Sequence, residues 1–122
     1  MTVSFKGWKE RVATFEAASD LEAGSVVKVS GNGQVSDCSA GDKFAGVVLS
    51  CRGGFAAVQL EGYAEISYSG TAPAVGYQLL CADGSGGVKT ATIGQSEQAF
   101  SKGREHLVAA VDTTAQTAGI IL

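Results

Sequence analysis

Proline occurs once in 122 residues, histidine once, and cysteine three times. A single proline excludes a collagen-like chain and a proline-rich linker. Three cysteines, Cys38, Cys51 and Cys81, leave at least one thiol free, because the count is odd. A secreted disulfide scaffold is denser and even in number. Nine basic residues face twelve acidic ones, for a formal charge of −3. The chain therefore lacks the concentrated basic surface of a nucleic-acid-binding protein. No apolar run approaches the roughly 20 residues of a membrane span. The first nine residues, MTVSFKGWK, lack the apolar h-region and small-residue cleavage site of a signal peptide. The expectation is a protein made and used in a cytoplasm, or in a particle assembled there, with no nucleic-acid or membrane partner.

What is present is apolar and rich in glycine. Hydrophobic residues make up 45% of the chain and charged residues 17%, a balance that argues against disorder. A chain of this length hides roughly two-thirds of its unfolded surface, enough for a core without metals or staples. The 17 glycines are about twice the usual share of about 7%. The dominant period is two. From Phe55 to Ser69, residues Ala56, Val58, Leu60, Ala64, Ile66 and Tyr68 share one parity, and Gln59, Glu61, Glu65 and Ser67 the other. Alternate side chains of a strand point to opposite faces. The segment reads as one long half-buried strand, or as two strands bent at Gly62 in a bulge or barrel corner. Asn32-Gly33, Arg52-Gly53-Gly54 and Asp83-Gly84 separate further strand-like runs, and such pairs supply the positive φ of tight hairpins. Leu107–Val111 and a final Gly119-Ile120-Ile121-Leu122 predict two more strands, the last docked in the core. Thr92–Lys102 reads as a loop with at most one helical turn. The fold class is all-β: a small compact antiparallel barrel or sandwich of short hairpins.

Residues 1–11 differ from the body, 12–122, which reads as one β-barrel domain. They mix Phe5 and Trp8 with Lys6, Lys9 and Arg11 and show no alternation, so they predict an N-terminal arm. Trp8 has two readings of equal weight. It plugs an end of the barrel, or it anchors the arm on a partner, since Trp is enriched at binding hot spots. On the second reading Phe5, Lys6, Trp8, Lys9 and Arg11 are the partner-binding residues.

Catalytic and cofactor chemistry finds little support. The cysteines are 13 and 30 residues apart with no Cys-x-x-Cys pair, unlike the tight ligand pairs of zinc sites. Cys51 and Cys81 read as small residues buried in strands, and Cys38, beside turn residues, as more exposed. His106 stands at the start of a strand with Asp112 beyond its far end. No nucleophile elbow accompanies it, and it reads as a polar surface residue at a strand edge. Gly84-Ser85-Gly86-Gly87 precedes a strand-like run, not the helix start that a phosphate cradle requires, and reads as a flexible hairpin tip. Glu61 and Glu65, on the outer parity, read as solubilising charges. The sequence therefore predicts no enzyme, no catalytic residue, no cofactor and no metal.

The run Leu21–Gly33, then Ala40–Val48, Arg52–Gln59, Tyr68–Tyr77, Ala82–Lys89 and Val111-Asp112-Thr113 resembles the small decoration (cement) proteins of tailed-phage and prophage capsids. The resemblance covers residues 12–122 and consists of glycine turns and strand cores. It implies a compact β-barrel on the outer surface of an assembled virion head, made in the bacterial host cytoplasm. The implied partners are the major capsid protein, whose neighbouring subunits it bridges, and further copies of itself in a homotrimer. It carries no catalytic residues. A binding module that displays the barrel to a carbohydrate or host surface is the alternative, with Tyr63 as its main exposed aromatic.

Overall fold

The computed structural model describes residues 11–91 and 104–122. Ten strands and no helix occur among them: β1 Arg11–Ala17, β2 Val26–Gly31, β3 Gln34–Asp37, β4 Gly46–Arg52, β5 Phe55–Glu61, β6 Tyr63–Ser67, β7 Gly76–Ala82, β8 Val88–Thr90, β9 Arg104–Asp112 and β10 Thr117–Ile121. The fold is all-β. The first five strands close a barrel in the order β1-β3-β2-β4-β5, and the others form a sheet in the order β6-β10-β9-β7-β8. Every ladder is antiparallel except a short parallel pairing of β1 with β3 at Glu16–Gln34 and Ala17–Val35. A parallel bridge joins Tyr68 to Val88, and the Ser69 N–H donates to the Val88 carbonyl at 2.9 Å. The two edges of the second sheet thus meet just beyond β6.

The alternating segment explains how the two bodies connect. Ala56 and Val58 point into the barrel, while Ala64 and Ile66 point into the second sheet's core. Gly62 between them has φ 96°, which an L side chain rarely adopts. The single run of parity becomes two strands because the chain leaves one body and enters the other at this residue. Gly33 (φ 65°) closes the β2–β3 hairpin, and Gly53 and Gly54 (φ 60° and 84°) close β4–β5, as turns with positive φ require.

Two apolar cores result. Leu21, Val27, Val35, Val48, Ala56 and Val58 fill the barrel. Ile66, Leu80, Val88, Val108, Ala118 and Ile120 fill the second core together with Val26, Cys38, Phe44 and Val47 from the barrel side. Val26 and Val27 therefore face different cores, as neighbours on a strand must. The connection between β3 and β4 laces the bodies together. Its Ala45 N–H donates to the Val27 carbonyl at 2.7 Å, its Gly41 N–H to the Ala82 carbonyl at 2.9 Å, and Ala82 N–H returns a bond to the Asp42 carbonyl.

Several sequence expectations need correction. His106 is 4% exposed and lies inside β9, not at a surface edge. The strand begins two residues earlier, at Arg104, and the parity set by Val108 turns His106 inward, opposite Gln78 of β7. Gln59 is also buried, despite its outer parity. The bend at Gly62 brings its side chain over exposed carbonyls, and Gln59 Nε2 donates to Glu61 O at 3.1 Å and Tyr63 O at 2.9 Å. Cys38 is buried and Cys51 only half-buried, the reverse of the expectation, while Cys81 is buried as expected. The Gly84–Gly87 tip is not loose. The Gly86 carbonyl accepts from Val26 N–H at 2.9 Å, and Asp83 Oδ1 accepts from the N–H groups of Ser85 and Gly87 at 2.7 and 3.1 Å. The expected loop Thr92–Lys102 lies outside the described residues; β1, Arg11–Ala17, is a strand that no turn signal in the sequence marked.

Candidate interaction surface

Of the expected partner-binding residues, Phe5, Lys6, Trp8 and Lys9 lie outside the described residues. Arg11 is the first residue of β1, paired with Glu61 at the end of β5. Its Nε stands 3.1 Å from Glu61 Oε2, with both side chains largely exposed. A surface pair of this kind contributes at most about 1 kcal/mol. Its effect here is to neutralise the corner from which residues 1–10 depart.

That corner belongs to an outward wall made by β1, β5 and β4. Register aligns its outer positions in two rows, Thr14–Ala57–Ser50 and Glu16–Phe55–Arg52, while Val12 at the far end pairs with the buried Gln59. The β4–β5 register shifts between Val48 and Ser50. This bulge leaves Leu49 and Ser50 both facing solvent, a common use of an extra strand residue. Val12 is 48%, Leu49 40% and Phe55 57% exposed. The middle of the wall carries no charge, and each end carries one base and one acid: Arg52 with Glu16, and Arg11 with Glu61. Large apolar groups gathered on one exposed face mark interaction sites more often than scattered ones do. The signal was available in the sequence, since Phe55 shares the outer parity of a strand whose inner parity is apolar.

Several other groups take structural roles. Asp83 fixes the β7–β8 turn as described, and Ser69 Oγ donates to its Oδ2 at 2.5 Å. It borders an open cleft of about 730 Å³ lined by Thr71, Gln78, Lys89 and Thr90. Glu61 and Glu65 sit on different sheets, on either side of the bend. The Tyr63 ring lies across Gly119, and burial, then the hydrogen-bonded Glu65 carboxylate, hold its phenol above the usual range. Burial, reinforced by Asp42, pushes the Cys38 thiol up to about 11, which suppresses the nucleophilic thiolate. Among the described residues no three His, Cys, Asp or Glu side chains form a group that could hold a metal ion. No helix among them is long and apolar enough to cross a membrane. No protein-family model matches the chain, and no curated protein matches its sequence.

Proposed function

We propose that the protein is a capsid decoration protein, without catalytic activity. It binds the outer surface of an assembled phage head, braces neighbouring major capsid subunits, and clusters there as a homotrimer after synthesis in the bacterial cytoplasm. The observation that carries this reading is the uncharged wall of Val12, Leu49, Ala57 and Phe55, continuous at Arg11 with the basic, aromatic arm. The resemblance of residues 12–122 to cement proteins supplies the partner. A cement protein needs a rigid body and an adhesive face, not a reactive group. Binding only the assembled lattice stabilises that lattice by mass action, and many copies multiply a modest contact.

The test is co-sedimentation with purified capsids. Leu49→Lys and Phe55→Lys place charge on an exposed face and leave the cores alone, so melting is unchanged and capsid binding is lost. Deleting residues 2–10 separates the arm from the wall. Loss of sedimentation with an intact melt assigns the arm to the contact, and loss of the fold assigns Trp8 to a barrel plug. Full capsid binding by both lysine variants and by the deletion would overturn the proposal.

A further inference from the structure

The chain's single histidine stands where the two bodies meet. The His106 imidazole stacks on Phe44, with ring centroids 4.9 Å apart and planes 10° from parallel. Phe44 comes from the β3–β4 connection, which is bonded to both bodies, and it lies in the core that unites barrel-side Val26 and Val47 with the second sheet. His106 Nε2 is buried without a hydrogen-bond partner among the described residues. The imidazole is hydrogen-bonded to the Ile121 main chain. In the neutral ring this leaves Nε2 as a bare lone pair in apolar surroundings, a tolerable state. A second proton makes a buried cation with an unpaired donor, which is costly.

The surroundings disfavour that cation on balance: the Ile121 main-chain bond favours it, but burial and Arg104 oppose it more strongly. From its own strand the acting charge is Arg104, which is repulsive. β7 presents Gln78 opposite it, which is uncharged. β10 presents the Ile121 main chain. The connection presents Phe44 flanked by Lys43, and the nearby Asp42 is engaged by Lys28 Nζ at 2.7 Å.

We infer that His106 is an acid-sensitive latch between the barrel and the second sheet: uptake of a proton at Nε2 loosens the seam at Phe44. Burial first, and Arg104 second, hold the imidazole below its usual value of 6.5. As pH falls through about 6.5 the unfolded chain takes up the proton first. Stability is therefore complete above that value and declines until the folded-state value is passed. The opened seam is where water reaches the ring.

The experiment measures the folding constant by urea titration at pH 7.5, 6.5 and 5.5, for the full chain and for His106→Phe. These values lie above the main carboxylate titrations, near 4. The wild-type constant falls by up to tenfold per pH unit below about 6.5, and His106→Phe is flat across the range. A flat wild-type response, or an equal slope in the variant, overturns the latch. Proton NMR of the lone imidazole decides the matter should the variant fail to fold. A resonance still neutral at pH 6 supports the latch, and ordinary titration near 6.5 refutes it.

Discussion

Gly119 and Tyr63 offer a sharp test of the second sheet. Gly119 sits in β10, between β6 and β9, and the Tyr63 ring from β6 occupies the space a side chain would take. A Cβ placed there would collide with Tyr63 Oη and lie 2.6 Å from both Cε2 and Cζ. Gly119→Ala must therefore expel the ring, since the sheet backbone beneath is held by two ladders. Exposing a ring of this size forfeits about 1.5–3 kcal/mol. The substitution regains about 0.5–1 kcal/mol, because alanine loses less conformational freedom than glycine in a strand. The net expectation is a loss of about 1–2 kcal/mol, or roughly 4 °C of melting temperature per kcal/mol for a domain of this size. Tyr63→Ser removes the obstacle. In that background Gly119→Ala becomes neutral or stabilising, so the double-mutant cycle shows a coupling of about 1–3 kcal/mol. Additive effects in chemical denaturation would refute the ring's position over Gly119.

Two further outcomes follow from burial. Ile120→Ala, at a fully buried position in the same strand, costs about 2–5 kcal/mol in urea denaturation because the cavity cannot collapse between two paired neighbours; a loss below 1 kcal/mol would contradict the core described. Iodoacetamide at pH 8 modifies Cys51 while sparing Cys38 and Cys81, the two buried thiols; peptide mass mapping reads this, with all three modified in denaturant. With its thiol near 11, Cys38 is ionised in only about one molecule per thousand at that pH, and rapid native labelling of it would contradict its burial.

Where local chemistry determines the outcome, the sequence is legible. The Ala56–Tyr68 parity, the bend at Gly62 and the glycine hairpins at Gly33 and Gly53-Gly54 all appear in the structure. Each depends only on residues close in the chain. Burial of polar groups depends instead on register between distant strands. One histidine before an apolar strand reads as surface until β7 fixes it opposite Gln78. Cys38 reads as exposed until the second sheet covers it. The division into a barrel and a second sheet is equally non-local, since β1 meets β3 in parallel and β6 meets the far C-terminal β10. For the candidate surface, Phe55 was legible from parity, Leu49 depended on a bulge, and Arg11 fell in the first strand rather than in the arm.

The two bodies share an apolar interface, so apolar burial alone leaves their relative setting weakly specified, because hydrophobic association is non-directional. Gln59 and His106 are the buried polar side chains among the described residues, and both stand where the bodies join. They act in opposite senses. Gln59 Nε2 satisfies two carbonyls, of Glu61 and Tyr63, that the bend at Gly62 frees from a regular ladder. Losing that amide would strand both acceptors, at about 1–3 kcal/mol for a buried group left unpaired. Gln59 thereby favours the one bend angle at which both bonds form. His106 makes no such bond at Nε2 among the described residues and is tolerated only while neutral. One polar residue thus fixes the angle between the bodies, and the other makes their union depend on proton concentration.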